Sequence, residues 1–191
     1  MTSIYFVRHA NPDHSWIDDR TRPLALDGIN DLIKLKSHFM KKEIDIVISS
    51  PYLRSFETVK PIADYFKLEI EKDERFRERK SGDNSNNQEM FEKRWNDLNF
   101  AEPNGECIKK VQDRNIEALN EILENYKNKK IVVGTHGTAL SSILNYYDNN
   151  FGIKDFLKIL NLMPYVIRMD FKIKDLVNKK EEFSILKEFK K

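Results

Sequence analysis

Cysteine is nearly absent from the chain. Its 191 residues include one, Cys107, which excludes an internal disulfide framework and any multi-cysteine zinc or iron–sulfur site. No apolar run approaches the ~18 residues that a membrane-spanning helix needs, so no membrane partner is expected. Near the amino terminus only Ile4–Val7 forms an apolar stretch. That is too short for a signal-peptide core, and no basic segment precedes it, so a cytoplasmic location is the expectation. A dominant charge sign is missing too. Lys+Arg number 33 and Asp+Glu 31, a formal +2, and this near balance argues against a nucleic-acid binder, which normally carries a basic excess or stripe. Neither an internal repeat nor a dividing linker is visible. Residues 1–191 therefore read as a single domain, long enough to bury a sizeable core without disulfides or metals.

What the chain does have is an alternation of two patterns. Ile4-Tyr5-Phe6-Val7, Ile44–Ile48 and Ile131-Val132-Val133 are short continuous apolar runs rich in β-branched and aromatic residues, the pattern of strands buried on both faces. Between them lie amphipathic stretches. Ile29, Leu32, Ile33, Phe39 and Met40 follow helical spacing after Asp27, a candidate N-cap. Phe56, Val59, Ala63 and Phe66 do so after Pro51, and Val111, Leu119, Ile122, Leu123 and Tyr126 mark a long helix opening near Gly105-Glu106. Strands alternating with helices imply βαβ units and an α/β fold, a three-layer αβα sandwich around a mostly parallel sheet. Val166–Phe171 and Phe183–Leu186 are expected to add a hairpin at a sheet edge. Residues 81–88 (SGDNSNNQ) read as a mobile loop, and the lysine-rich stretch 172–191 as a solvated strand and tail.

Each of the three strands ends in polar groups suited to an anion. The first delivers Arg8 and His9, the second Ser49, Ser50 and then Arg54, and the third His136, with Gly137 and Thr138 opening a helix. Ligands of open α/β sheets sit beyond the carboxyl ends of the strands. Residues far apart in sequence would meet there, and two Arg, two His and a helix amino terminus make a strong anion site. His14 and His38 have no matching partners and read as structural or surface residues. A His9/His14 metal pair lacks a third ligand, so no metal and no cofactor is expected. Cys107 falls at a helix start with no His near it in sequence and reads as packing or capping.

The same residues carry a resemblance. Val7-Arg8-His9-Ala10 resembles the Arg-His-Gly signature of the histidine phosphatase superfamily, the phosphoglycerate-mutase-like enzymes. Ser49–Thr58 (SSPYLRSFET) is similar to its second motif, and Phe76–Gly82 (FRERKSG) to its acid motif. Gly105-Glu106-Cys107 resembles its Gly-Glu-Ser helix start, and Gly134-Thr135-His136-Gly137 its closing Ser-His-Gly motif. The matches run in the family's order from residue 4 to about 140. Ala10 stands for the usual Gly, Ser15 where an Asn is common and Cys107 for a Ser, and no Trp-Glu-Gly follows Gly82.

The resemblance implies phosphoryl transfer through a phosphohistidine on His9. Arg8, Arg54 and His136, the last as an imidazolium, would hold the phosphoryl oxygens. Glu78 would serve as proton donor and acceptor from a partly desolvated pocket, with Glu74 as the rival acid. Asn11, Ser15 and Gly137 are candidate substrate contacts, as are Trp16, Arg79 and Lys80. The partner is a small phosphorylated substrate. A phosphatase is expected. The alternatives are a mutase that returns the phosphoryl group to its substrate, disfavoured by the short stretch between Glu78 and His136, and an inactive phospho-ligand-binding module. The loops 10–26 and 81–104 would set the substrate.

Overall fold

A computed structural model describes residues 1–83 and 86–187. Among these the chain runs β1 (Thr2–Arg8), α1 (Leu26–Phe39), β2 (Ile46–Ser49), α2 (Leu53–Phe66), β3 (Ile70–Lys72), α3 (Gln88–Asn96) and α4 (Ile108–Asn125), then β4 (Lys130–Thr135), α5 (Gly137–Tyr147), α6 (Ile153–Leu160), β5 (Leu162–Lys172) and β6 (Asp175–Leu186). A 3-10 turn, Glu74–Phe76, precedes α3. The strands form one sheet in the order β3-β2-β4-β1-β5-β6. The first four in that order are parallel, and β5 and β6 add an antiparallel hairpin at one edge. This is an α/β fold built on a mixed six-stranded sheet. The expected edge hairpin is present, built from longer strands than the two segments read from sequence.

The apolar runs are continuous because helices cover both faces of the sheet. Alternate residues of β1 point to opposite layers. Ile4 and Phe6 pack with Leu119 and Ile122 of α4 and Leu140 of α5, while Tyr5 and Val7 pack with Leu35 and Phe39 of α1 and Val59 and Ile62 of α2. The parallel register then aligns the strand ends. Arg8 pairs with Thr135, and Ser49 with Gly134. His9, Ser50 and His136 therefore leave the sheet side by side.

Three local expectations, two on α1 and one on the stretch 81–88, need correction. The N-cap of α1 is Ala25, not Asp27, which lies in the first helical turn. The face α1 turns inward carries Gly28, Asp31, Leu35 and Phe39, whereas Ile29, Ile33 and Met40 are exposed. Gly28 fixes that rotation, because a Cβ there would stand 2.2 Å from the Asn11 carbonyl oxygen. Of the stretch 81–88, Gln88 already opens α3 and Asn84 and Ser85 lie outside the described residues. The expected solvated strand is present as the largely exposed β6, and residues 188–191 of the expected tail lie outside the described residues.

Candidate active site

The four basic residues expected to meet do meet, and all are buried: Arg8, His9, Arg54 and His136. His9 Nδ1 lies 2.8 Å from the Ala10 carbonyl oxygen. A carbonyl only accepts, so Nδ1 carries the proton and Nε2 keeps its lone pair. Arg54 Nε donates to that Nε2 at 3.3 Å. Burial, then the charges of Arg54 and Arg8, hold the His9 pKa well below the ordinary imidazole value, which keeps the ring neutral. The turn after β1 is held by Thr58, whose Oγ1 accepts from the Ala10 amide at 3.0 Å and donates to the Arg54 carbonyl.

Arg8 is anchored from β1 against the far layer. Its Nη1 donates to the carbonyls of Ile159 and, at 3.1 Å, Leu162. Its Nε is buried with no protein partner. Burial lowers Arg8 to about 10, so it remains charged at neutral pH. His136 presents a second unpartnered group. Its Nε2 sits 2.8 Å from Ser50 Oγ, and its buried Nδ1 has no protein partner. The His9 and His136 rings approach edge to face, with centroids 5.2 Å apart. Burial, then Arg54 and His9, push the His136 pKa well below its ordinary value. Burial first, and the neighbouring cations after it, therefore favour a neutral His136, whereas the resemblance implies an imidazolium when a phosphoryl group is held.

Glu78 stands at the start of α5. The Thr138 and Ala139 amides donate to its Oε2 and Oε1 at 3.1 and 3.2 Å, and the Arg79 amide to Oε1 at 2.8 Å. Its side chain thus caps the helix whose N-cap residue is His136. The backbone around it is clamped by Glu106. That carboxylate bonds Arg77 and Arg114 at 2.9–3.1 Å, and both arginines donate to the Glu78 carbonyl. Glu74, the alternative acid, is exposed and paired with Arg20.

Several expected contacts point elsewhere. Asn11 donates its amide to both oxygens of Asp27 at 3.0–3.1 Å. Ser15 closes a loop turn on Asp13, and Trp16 donates to Thr21. Gly137 backs the site: a Cβ there would stand 3.3 Å from Arg8 Nε. Cys107 is the buried N-cap residue of α4. His38 lies 3.5 Å from Glu182, beside Phe39 and Phe183. Sequence reasoning missed Asp19, which pairs with Arg54 at 3.2 Å. It also missed Tyr52, whose ring lies against both His136 and Arg54. Among the described residues no group of three potential metal ligands comes together, and no helix is long and apolar enough to cross a membrane.

Two buried arginines and two buried histidines thus stand together at the carboxyl edge of the parallel strands. The model of the histidine phosphatase superfamily (branch 1) matches residues 4–171, and the chain belongs to that family. The Bacillus subtilis protein named "Uncharacterized phosphatase PhoE" is 28% identical over 150 residues, covering 75% of this chain and 76% of its own. A solved structure of an Entamoeba histolytica phosphoserine phosphatase, a mutant in complex with phosphoserine, superposes with a TM-score of 0.76 at 20% identity, covering 94% of this chain and 96% of that one. A mycobacterial glucosyl-3-phosphoglycerate phosphatase gives 0.70 at 14% identity, covering 94% and 96%. These structures share the fold.

Proposed function

We propose that the chain is a phosphatase that hydrolyses a small phosphomonoester through a phosphohistidine on His9. The observation that carries this reading is the set of His9: Nδ1 is tied to the Ala10 carbonyl, so the basic nitrogen is Nε2, which meets Arg54 Nε at 3.3 Å, while Arg8 Nε and, on the ring packed edge to face with His9, His136 Nδ1 are buried with no protein partner. In the first half-reaction the Nε2 lone pair attacks phosphorus. The bond from phosphorus to the leaving oxygen breaks, and Glu78 in its acid form gives that oxygen its proton. Arg8, Arg54 and the His136 Nδ1–H hold the non-bridging oxygens. Their charge is spread over the transferring group, so fixed donors do most of the work. The α5 amides receive Glu78 as the carboxylate. In the second half-reaction that carboxylate takes a proton from water, the water oxygen attacks phosphorus, and the phosphorus–nitrogen bond breaks. Inorganic phosphate leaves and His9 is restored. No step uses a metal.

Rapid quench with a labelled aryl phosphate, in chelator throughout, tests the reading. His9→Ala abolishes turnover and any labelled protein. In Glu78→Gln turnover falls by about 10²–10⁴-fold. The activated leaving group needs no proton, so that variant accumulates a phosphoenzyme labile to acid and more stable to base. Label on Ser, Asp or Cys107, or an activity that chelator removes and zinc or magnesium restores, rejects the mechanism.

A further inference from the structure

A cavity of about 780 Å³ opens at the end of the sheet away from the catalytic edge. Its size falls within the ~300–1,000 Å³ range of small-molecule sites. Thr2, where β1 begins, and Phe171, its partner on β5, both line it. Arg8 ends the same strand, so the cavity stands about 20 Å from the catalytic cluster at ~3.3 Å per strand residue.

Its floor is apolar and its rim cationic. Leu123 and Phe171 are buried beneath it, while Met1, Ile173 and Val177 stand exposed around its mouth. Three lysines line it, Lys127, Lys172 and Lys174, against one acid, Glu124. Lys174 and Glu124 pair with each other, which leaves the lining two positive charges in excess. The hairpin tip adds an independent observation. β5 and β6 are joined by Ile173 and Lys174 alone. Two-residue hairpin loops favour Asn-Gly, because their backbone turns left-handed. Here the first residue is an isoleucine with φ at 60°, a conformation that a β-branched residue adopts only at a cost. Burial does not offset that cost, since Ile173 is 81% exposed. Strain of this kind gathers at ligand clamps, and an apolar side chain held at the mouth of an apolar cavity is covered once the cavity fills.

We propose that this cavity binds a long-chain fatty acid without covalent chemistry, its tail over Leu123 and Phe171 and beneath Ile173 and Val177, its carboxylate between Lys127 and Lys172. The site is separate from the proposed phosphatase centre and does not depend on it. The tail takes exposed apolar side chains out of water, the gain that a contiguous apolar patch offers a partner. The excess positive charge at the rim selects an anionic head, and ammonium groups on flexible stems receive it as point charges. A concave floor with buried walls admits one tail, whereas a bilayer surface meets only the rim.

Titration calorimetry of the intact chain with dodecanoate, kept below its micelle concentration, tests the site. Binding saturates at one equivalent. Decanoate, two methylenes shorter, binds about tenfold more weakly. Dodecyltrimethylammonium, with the same tail and the opposite charge, is also about tenfold weaker or more, and the double variant Lys127→Glu, Lys172→Glu removes that preference. Ile173→Gly separates binding from folding. Glycine enters the left-handed turn freely, so Tm holds or rises, while dodecanoate affinity falls about tenfold with the lost side chain. No saturable binding of dodecanoate, equal affinity for the tail-matched cation, or parental affinity in Ile173→Gly overturns the proposal. So does displacement of dodecanoate by excess inorganic phosphate, which would place the anion at the catalytic edge. Attachment to phosphatidylglycerol vesicles with no uptake of monomeric dodecanoate would give the patch to a membrane, and a dimer in light scattering that dodecanoate leaves intact would give it to a second copy. Either result overturns the fatty-acid site and leaves the phosphatase reading standing.

Discussion

Arg54 concentrates the logic of the site in one side chain. It donates to the His9 nitrogen proposed to attack, pairs with Asp19, and lies over the Tyr52 ring. Burial lowers its pKa, while Asp19 and Glu78 oppose the shift. Its planar fork is therefore held in place before a phosphoryl group arrives. Arg54→Ala is expected to weaken inhibition by vanadate or phosphate by about 30-fold or more, since losing a buried charged contact costs about 2–5 kcal/mol. Arg54→Lys keeps the charge but not the fork and recovers only part of it. Unchanged vanadate inhibition in Arg54→Ala would remove the residue from the site. Arg8, His9, Arg54 and His136 were legible in sequence because each sits at or just beyond a strand end whose apolar run announces it. Asp19 and Tyr52 were not, because their roles arise only from where a loop and a helix start fall in space. Ser49 and Ser50 look equivalent in sequence, yet Ser50 meets His136 while Ser49 turns to Ser55 and the backbone.

Among the elements, α5 has two duties at its amino terminus: its amides hold Glu78, and Gly137 lets the Arg8 guanidinium lie close against the helix. The two duties separate under Gly137→Ala. Alanine favours a helix over glycine by up to about 1 kcal/mol, so stability should hold or rise. The new Cβ, 3.3 Å from Arg8 Nε, forces a guanidinium fixed by two carbonyls to shift by a few tenths of an ångström. Small misplacements of positioning groups cost rate steeply, and kcat/KM is expected to fall by about tenfold. A parallel rise of Tm and kcat/KM would show that Arg8 tolerates the methyl. The elements missed in sequence were missed for a physical reason. α3 buries Met90, Arg94 and Trp95, so a charged residue interrupts its inward face and no apolar period appears. β3 is a three-residue edge strand of Ile, Glu and Lys, with too little apolar content to register. α1 misled in the opposite sense, since its apolar residues are real but its rotation is set by Gly28 against the Asn11 backbone.

Across the whole molecule, two histidines and two buried or half-buried carboxylates at the carboxyl edge of the sheet have folded-state pKa values below their ordinary ones, and these set the pH behaviour. His9 and His136 lie well below the ordinary imidazole value of 6.5, first because of burial. Burial pushes Glu106 upward, but bonds from Arg114 and Arg77 outweigh it and hold it at about 2. Glu102 is likewise held below the ordinary carboxylate range by Arg94 and Arg79 against its burial. For groups of this sign the unfolded chain takes up protons that the folded chain refuses, so stability is full above the unfolded value and is lost as pH falls. Two stages follow. Between pH 6.5 and 4.5 the histidines erode stability. Below 4.5 the carboxylates add to the loss, Glu106 alone by up to about 3 kcal/mol. Activity should not follow the first stage, because the same depressed pKa keeps His9 Nε2 unprotonated. The expected outcome is a Tm that declines from pH 7 to 5 while kcat/KM for an aryl phosphate holds, with its acid limb clearly below 6.5. His9→Ala should flatten part of that decline, since it removes one of the two refused protons. A Tm constant from pH 7 to 5, or an acid limb centred at 6.5, would contradict the buried neutral pair on which the proposed nucleophile depends.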